Sequence, residues 1–359
     1  DLARLLKAQG YDWQAEFADF RFKGKVRPQD IDIATPITLK MNQLKDPALA
    51  AHGVNNAMGI KASPLWSLVS ANAADRDAVH HQLAMLDQWH GQPTGMFSAD
   101  EHLAGREPSQ GVETCAVVET LYSLEIALAI TGDVAIADRI ETIAYNALPA
   151  AFTDDMWSHQ YDQQPNQVAC TRAKGPWTTN GPEANLFGLD PHFGCCTANF
   201  HQGWPKFGAS LWMATEDDGL AAMLYAPCKV TTTVGGVPIR IAQTTDYPFR
   251  NRVSIRLDPV RPVTFPLKLR VPGWAISATI SVNGHAELHV VSSGFAVLAR
   301  TWRLGDRVEI ALTSRPRIVE GHNRALSVVD GPLVFALPVA EKWPKWRQRG
   351  LRADWEVRP

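Results

Sequence analysis

The chain has 359 residues, 45% of them hydrophobic and 20% charged, with a formal net charge of −2; that is the composition of a globular protein long enough for two substantial cores. A near-neutral balance without a long basic run argues against a nucleic-acid partner, and the absence of an apolar run of about 20 residues argues against a membrane span. The five cysteines are odd in number and irregularly spaced, which does not fit a disulfide framework, so a working thiolate in a reducing, cytoplasmic compartment is the simpler expectation.

Up to about residue 215 the apolar pattern has helical period. Leu2, Leu5, Leu6 and Ala8 before Gly10 read as the end of a helix already under way, and further helices are predicted over 47–62, 64–71, 75–90, 111–131, 133–149 and 197–214. The stretch CAVVETLYSLEIALAITGD, closed by Gly132, is the clearest. Two long loops intervene, 91–110 and about 150–195, and long loops on a helical scaffold commonly carry function. From about residue 219 the period becomes two: LAAMLYAP, KVTTTV, IRIAQT, RVSIRLD, TFPLKLRV, ATISVNG, FAVLAR and RVEIAL read as strands, with Asn283-Gly284 a hairpin turn. About eight closely spaced strands predict a β-sandwich. Eight of the eleven histidines lie at or before His201, which assigns the chemistry to the helical part. The start at Asp1 and the end at LRADWEVRP suggest a piece of a longer protein.

The most informative feature is the adjacent pair Cys195 and Cys196 in PHFGCCTANFHQGWPKF. Two thiolates on one turn can reach one soft ion, and a helix predicted to start near Thr197 would lower their pKa; the plainer alternative is a pair of small buried hydrophobes. Upstream, Glu113 and Cys115 bring the set to three sulfurs and one carboxylate, enough for a tetrahedral zinc site. Two positions apart, they would face opposite sides of a regular helix, so sharing an ion requires that the helix has barely begun. Asp100, Glu101, His102 and Glu107 precede them in the loop; a carboxylate there could serve as a proton donor, though a solvated loop charge is the plainer reading. His52, His90 and Tyr161 could hydrogen-bond a polyhydroxylated ligand, and His80-His81 looks like helix surface. The twelve tryptophans, seven of them between Trp13 and Trp212, suit core packing first and stacking on sugar rings second.

GMFSADEHL, ETCAVVE, FGCCTANFHQGWPKF, LKLRVPGWA and GFAVLARTWRLGDRVEIAL occur in this order, and the series resembles glycoside hydrolase family 127, the β-L-arabinofuranosidase group. The resemblance implies an α plus β multidomain protein: the C-terminal part of an (α/α)6 catalytic barrel over 1–215, its N-terminal part missing, followed by β-sandwich structure over 216–359. It further implies Zn²⁺ held by Glu113, Cys115, Cys195 and Cys196, with Cys195 as nucleophile and Glu101 as general acid/base. His52 resembles the histidine of a family motif that precedes a small-residue helix, and Tyr161 resembles a sugar-contacting tyrosine, although YDQQPN departs from the family's usual sequence there. The expected ligand is an arabinose-containing oligosaccharide or glycan, and a homodimer is left open. A glycosidase for another sugar, a non-catalytic carbohydrate-binding protein with a structural zinc, and a thiol redox protein remain the competing readings.

Overall fold

The computed structural model describes residues 2–27, 29, 31, 47–173, 181–188, 194–290 and 293–359. Parts of the predicted 150–195 loop, namely 174–180 and 189–193, lie outside the described residues. The helical region opens with α1 (Leu2–Gln9) and α2 (Trp13–Ala18), then α3 (Pro47–Ala51), α4 (Gly53–Gly59), α5 (Ala62–Ser70) and α6 (Ala73–His90). The helix expected over 47–62 is therefore broken at His52, whose ring caps α4 by accepting from the Asn55 N–H. A capping side chain needs extended backbone, and His52 has φ −72° and ψ 127°.

The axis of this region is α7 (Thr114–Thr131), which touches α4, α5, α8 (Val134–Thr142), α10 (Gly194–Phe200) and α11 (Gly203–Ala209). At 18 residues with a mean hydropathy of 1.4, α7 is long and apolar enough to cross a bilayer by composition, closer to a span than the sequence reading allowed, but 67% of it is buried inside the fold. A helix apolar on all sides is what a central core position selects. α8 runs into a π-helical turn, Ile143–Ala147, and then α9 (Leu148–Ala150). The turn aims Asn146 at a later strand: its side chain donates to the Pro332 carbonyl (2.8 Å) and accepts from the Val334 N–H (2.8 Å).

The expected loop 91–110 and the residues after it contain short strands. β1 (Ala99–Asp100), β2 (His102–Leu103), β3 (Val112–Glu113) and β4 (Asp162–Gln163) form a sheet ordered β2-β1-β3-β4. Two-residue strands carry no period to read, so the sequence hides them. The helix expected over 197–214 is likewise replaced by α10, α11 and β5 (Trp212–Ala214).

The predicted strands follow as β6 (Leu220–Ala222), β7 (Cys228–Val234), β8 (Val237–Thr245), β9 (Arg252–Pro259), β10 (Val263–Val271), β11 (Ser277–Val282), β13 (Gly294–Trp302) and β14 (Asp306–Thr313), with a further strand, β12 (His285–Val290), between β11 and β13. They form a four-stranded sheet, β13-β10-β6-β5, and a six-stranded one, β12-β11-β14-β9-β8-β7. Alternate residues of both sheets enter one hydrophobic core, among them Ile239, Ile255, Leu267, Ile280, Leu298 and Ile310. Asn283 (φ 52°) and Gly284 (φ 83°) turn β11 into β12, the positive-φ pair that the Asn-Gly signal demands. β15 (Arg317–Glu320), β16 (Leu326–Asp330) and β17 (Leu333–Phe335) make a small sheet, and β18 (Lys345–Arg349) pairs with β19 (Arg352–Trp355).

A buried ion cluster joins helices to sheet. Arg270 of β10, fully buried, bonds Asp138 and Glu141 of α8 (2.5 Å to Glu141) and donates through Nε to the Met223 carbonyl (2.5 Å). Glu141 also accepts from the Tyr247 hydroxyl (2.5 Å) and the Tyr225 N–H (2.8 Å). A buried guanidinium needs this many acceptors to offset its desolvation.

Candidate active site

Two sequence-distant pairs of side chains meet at the N-terminus of α7. The donor atoms of Glu113, Cys115, Cys195 and Cys196 all lie within 4.8 Å of one another. The spacing problem posed by Glu113 and Cys115 is resolved by the backbone. Glu113 ends β3 as the N-cap of α7, with φ −64° and ψ 135°, and Cys115 is only the second residue of the helix. The change from strand to helix turns both side chains the same way. Pairing of β3 with β4 and the Thr114 N–H to Tyr161 carbonyl bond (2.9 Å) fix that junction.

Cys195 and Cys196 sit in the first turn of α10, which begins at Gly194, three residues before the expected start near Thr197. Cys196 is buried and Cys195 exposed. The Cys115 and Cys196 sulfurs are 3.4 Å apart, and Cys195 Sγ is 4.0 Å from both Cys196 Sγ and Glu113 Oε1. Hydrogen bonds from Cys115 and then Cys196 pull the Cys195 thiol well below its ordinary pKa and leave the other two raised. Burial first, then the charges of Glu101 and Cys195, push Glu113 up to about 8. Among the described residues no basic side chain forms an ion pair with Glu113. A tetrahedral zinc with bonds of about 2.3 Å to sulfur sets sulfurs about 3.8 Å apart, and the observed separations bracket that distance. The donor set and its spacing therefore fit a metal ion of the soft-ligand class.

Glu101 stands beside this cluster. It occupies the tight turn between β1 and β2 with φ 85°, a left-handed conformation costing about 1–3 kcal/mol for a residue with a Cβ. The turn is held by the Gly53 N–H donating to the Glu101 carbonyl (2.8 Å). Gly53 is required there, because a Cβ would lie 2.1 Å from that of Ala99. His52 Nδ1 accepts from the Asn55 N–H (3.3 Å), which leaves the proton on Nε2 to be donated to Glu101 Oε1 (3.1 Å). Tyr161, fully buried, donates to Glu101 Oε2 (2.8 Å) and lies 3.3 Å from Glu113 Oε2. One phenol thus links the loop carboxylate to the cluster. The Glu101 side chain keeps 36% of its surface exposed, so it is reachable by a ligand.

His90 is not brought to this group. It is fully buried, with Nε2 2.7 Å from the Phe22 carbonyl and Nδ1 accepting from the Gly105 N–H (2.9 Å), and burial lowers its pKa to about 4. Both ring nitrogens are occupied by main chain, which makes it a histidine of the packing rather than one available to a sugar. His80 and His81 are also structural, pairing with Asp133 (3.1 Å) and the Phe17 carbonyl (2.9 Å).

Two contributors escaped the sequence reading. Asn199 donates to Cys115 Sγ (3.2 Å) and is itself held by Gln202 (2.9 Å); its place three and four residues after the cysteine pair on one helix was the available signal. His159 Nε2 lies 2.9 Å from Thr197 Oγ1 and so ties the 150–188 segment to the cysteine helix; nothing in its local sequence marks it.

Two family models match the chain. Residues 87–209 match one described as the GH127 β-L-arabinofuranosidase catalytic domain, and residues 219–314 match the GH127 middle domain; together they cover more than half of the chain. The first contains Glu101, Glu113, Cys115, Tyr161, Cys195 and Cys196. Among solved structures, the fold is similar to a GH127 β-L-arabinofuranosidase from Geobacillus stearothermophilus T6 (TM-score 0.66, 18% identity, covering 88% of this chain and 59% of that one). It is also similar to a protein described as a glycoside hydrolase (0.66, 19%, 86% and 63%) and to a GH127 β-arabinofuranosidase (0.61, 19%, 86% and 56%). The chain spans less than two thirds of the length of each of these three structures. A search of curated proteins returns no match.

Proposed function

From a chain that belongs to glycoside hydrolase family 127, we propose a retaining glycoside hydrolase that releases terminal β-L-arabinofuranose, with Cys195 as nucleophile and Glu101 as general acid/base. The observation that carries the reading is the convergence of Glu113, Cys115, Cys195 and Cys196 within 4.8 Å, beside a reachable loop carboxylate. We take the helical region, about 1–215, as the part of an (α/α)6 barrel that bears the site. The two sheets sharing one core, within 216–359, are taken as the β-sandwich part.

Zn²⁺ held by these four residues would offset part of their negative charge and keep the sulfurs as thiolates. Cys195 is the sulfur nearest solvent, placed to attack the anomeric carbon. Glu101, oriented by His52 and Tyr161, hands its proton to the departing glycosidic oxygen. The sugar is then carried on Cys195. Glu101, now a carboxylate, takes a proton from water, whose oxygen displaces the sulfur and restores the starting configuration. Tyr161 steadies the carboxylate in both protonation states, because its O–H donates whether or not the other oxygen carries hydrogen. The substrate partner is an arabinose-containing oligosaccharide or glycan.

Metal analysis by mass spectrometry tests the cluster directly. About one zinc per chain is expected, lost in Cys196→Ser. Wild-type protein prepared with zinc present, yet metal-free and with all its thiols open to titration, would leave the cysteines as packing residues.

A further inference from the structure

A cleft of about 710 Å³ opens between residues 152–158 and the β18–β19 hairpin, within the size range of small-ligand sites. None of its lining residues belongs to the thiol cluster. Its walls carry Trp157, Trp343 and Trp355 together with Asp154, Asp155 and Glu341. Trp157 keeps 52% of its surface exposed and Trp343 39%. Tryptophan is ordinarily sheltered, and two open indoles in one cleft call for a ligand.

Both rings are held in place. The Arg352 guanidinium sits 3.9 Å from the Trp157 ring centroid, and the Trp157 main-chain N–H, which fixes the backbone beneath the ring, donates to Asp155 (3.1 Å). Trp343 packs on Phe187 at 5.1 Å between ring centroids and donates through Nε1 to Glu341 (3.0 Å). Pre-set aromatic planes rimmed by carboxylates match a ligand with apolar C–H faces and a rim of hydroxyl donors. A sugar chain has that character; the two cations that also line the cleft, Lys345 and Arg352, sit over the Trp355 and Trp157 rings. Ser158 lines the cleft, and the next residue, His159, bonds Thr197 two positions after Cys195. The cleft and the cysteine helix therefore share one strut.

We propose that this cleft is a second carbohydrate-binding site, gripping a distal part of the glycan whose end sugar reaches Cys195. The identity of the glycan rests on the hydrolase reading, whereas the cleft's preference for a sugar chain does not. The test uses the full chain with two probes, an oligosaccharide ending in β-L-arabinofuranose and p-nitrophenyl β-L-arabinofuranoside, which carries a single sugar. Trp157→Ala is expected to raise KM for the oligosaccharide about tenfold, as loss of a buried aromatic anchor does. kcat and the KM for the aryl glycoside should stay unchanged. Tryptophan-fluorescence titration with the oligosaccharide, in a Cys195→Ser background, should show the same weakening, and Trp343→Ala reads the same question if Trp157→Ala misfolds. Hydrolysis of both probes with oligosaccharide binding unaltered in the variants would overturn the cleft and leave the hydrolase intact. Saturable binding lost in the variants, in a protein that hydrolyses neither probe, would uphold the cleft and remove the hydrolase reading.

Discussion

The sheets and the cysteine site obey different rules. In the larger of the two main sheets strands such as β8, β9, β11 and β14 alternate inward and outward, register follows from that alternation, and the buried face is aliphatic, as in β9 with Val253, Ile255 and Leu257. At the site the order is reversed: a glutamate takes a left-handed turn, a carboxylate and two cysteines are buried together, and a third cysteine stays open to solvent. Each feature costs stability that the surrounding α7 core must offset. Departures from local rules of this kind mark where chemistry is placed.

Four substitutions sharpen the contrast, starting with the largest effect. Cys195→Ser should lower turnover of aryl β-L-arabinofuranosides by about a thousandfold or more while the chain still folds, since the side chain is exposed; steady-state kinetics beside calorimetry would separate the two. Arg270→Met at the helix–sheet junction should do the opposite. Leaving Glu141 buried without its partner should destabilise by about 3–5 kcal/mol, read by urea denaturation, with zinc content unchanged in the folded fraction. Glu101→Gln should slow glycosides with poor leaving groups by about a hundredfold or more and activated aryl glycosides far less; equal slowing of both would remove Glu101 as the acid.

The smallest effect belongs to Glu125 of α7, buried and pushed up to about 8 by desolvation. A carboxylate raised above its unfolded value favours the folded state fully below about pH 4.5, and that stability is lost as pH rises toward 8. Glu125→Gln should therefore raise the midpoint of thermal unfolding at pH 8 and change it little at pH 4.5. A pH-independent shift would contradict this.

How much of this was legible in the sequence follows from the same contrast. Strands β7 to β11, β13 and β14 were readable because a two-residue period over six to nine positions is a strong signal, and Asn283-Gly284 needs its positive φ wherever it stands. The four residues of the Glu113–Cys115–Cys195–Cys196 cluster could be named from residue type, yet their geometry could not. Glu113 and Cys115 share a face only because β3 gives way to α7 between them, and a two-residue strand leaves no pattern. His90 looked available because its sequence neighbours are polar, whereas the carbonyl that claims it belongs to Phe22, distant in the chain. Asn199 was within reach of helical spacing; His159 was not, since its partner comes from another segment.

The central claim is that Cys195 carries the sugar. Rapid quenching of the enzyme with an activated β-L-arabinofuranoside, followed by peptide mass spectrometry, tests it most directly. The account predicts a covalent pentosyl adduct on the peptide containing Cys195, absent in Cys195→Ser. An adduct on Glu101 or Glu113 instead, or wild-type turnover by Cys195→Ser, would contradict it.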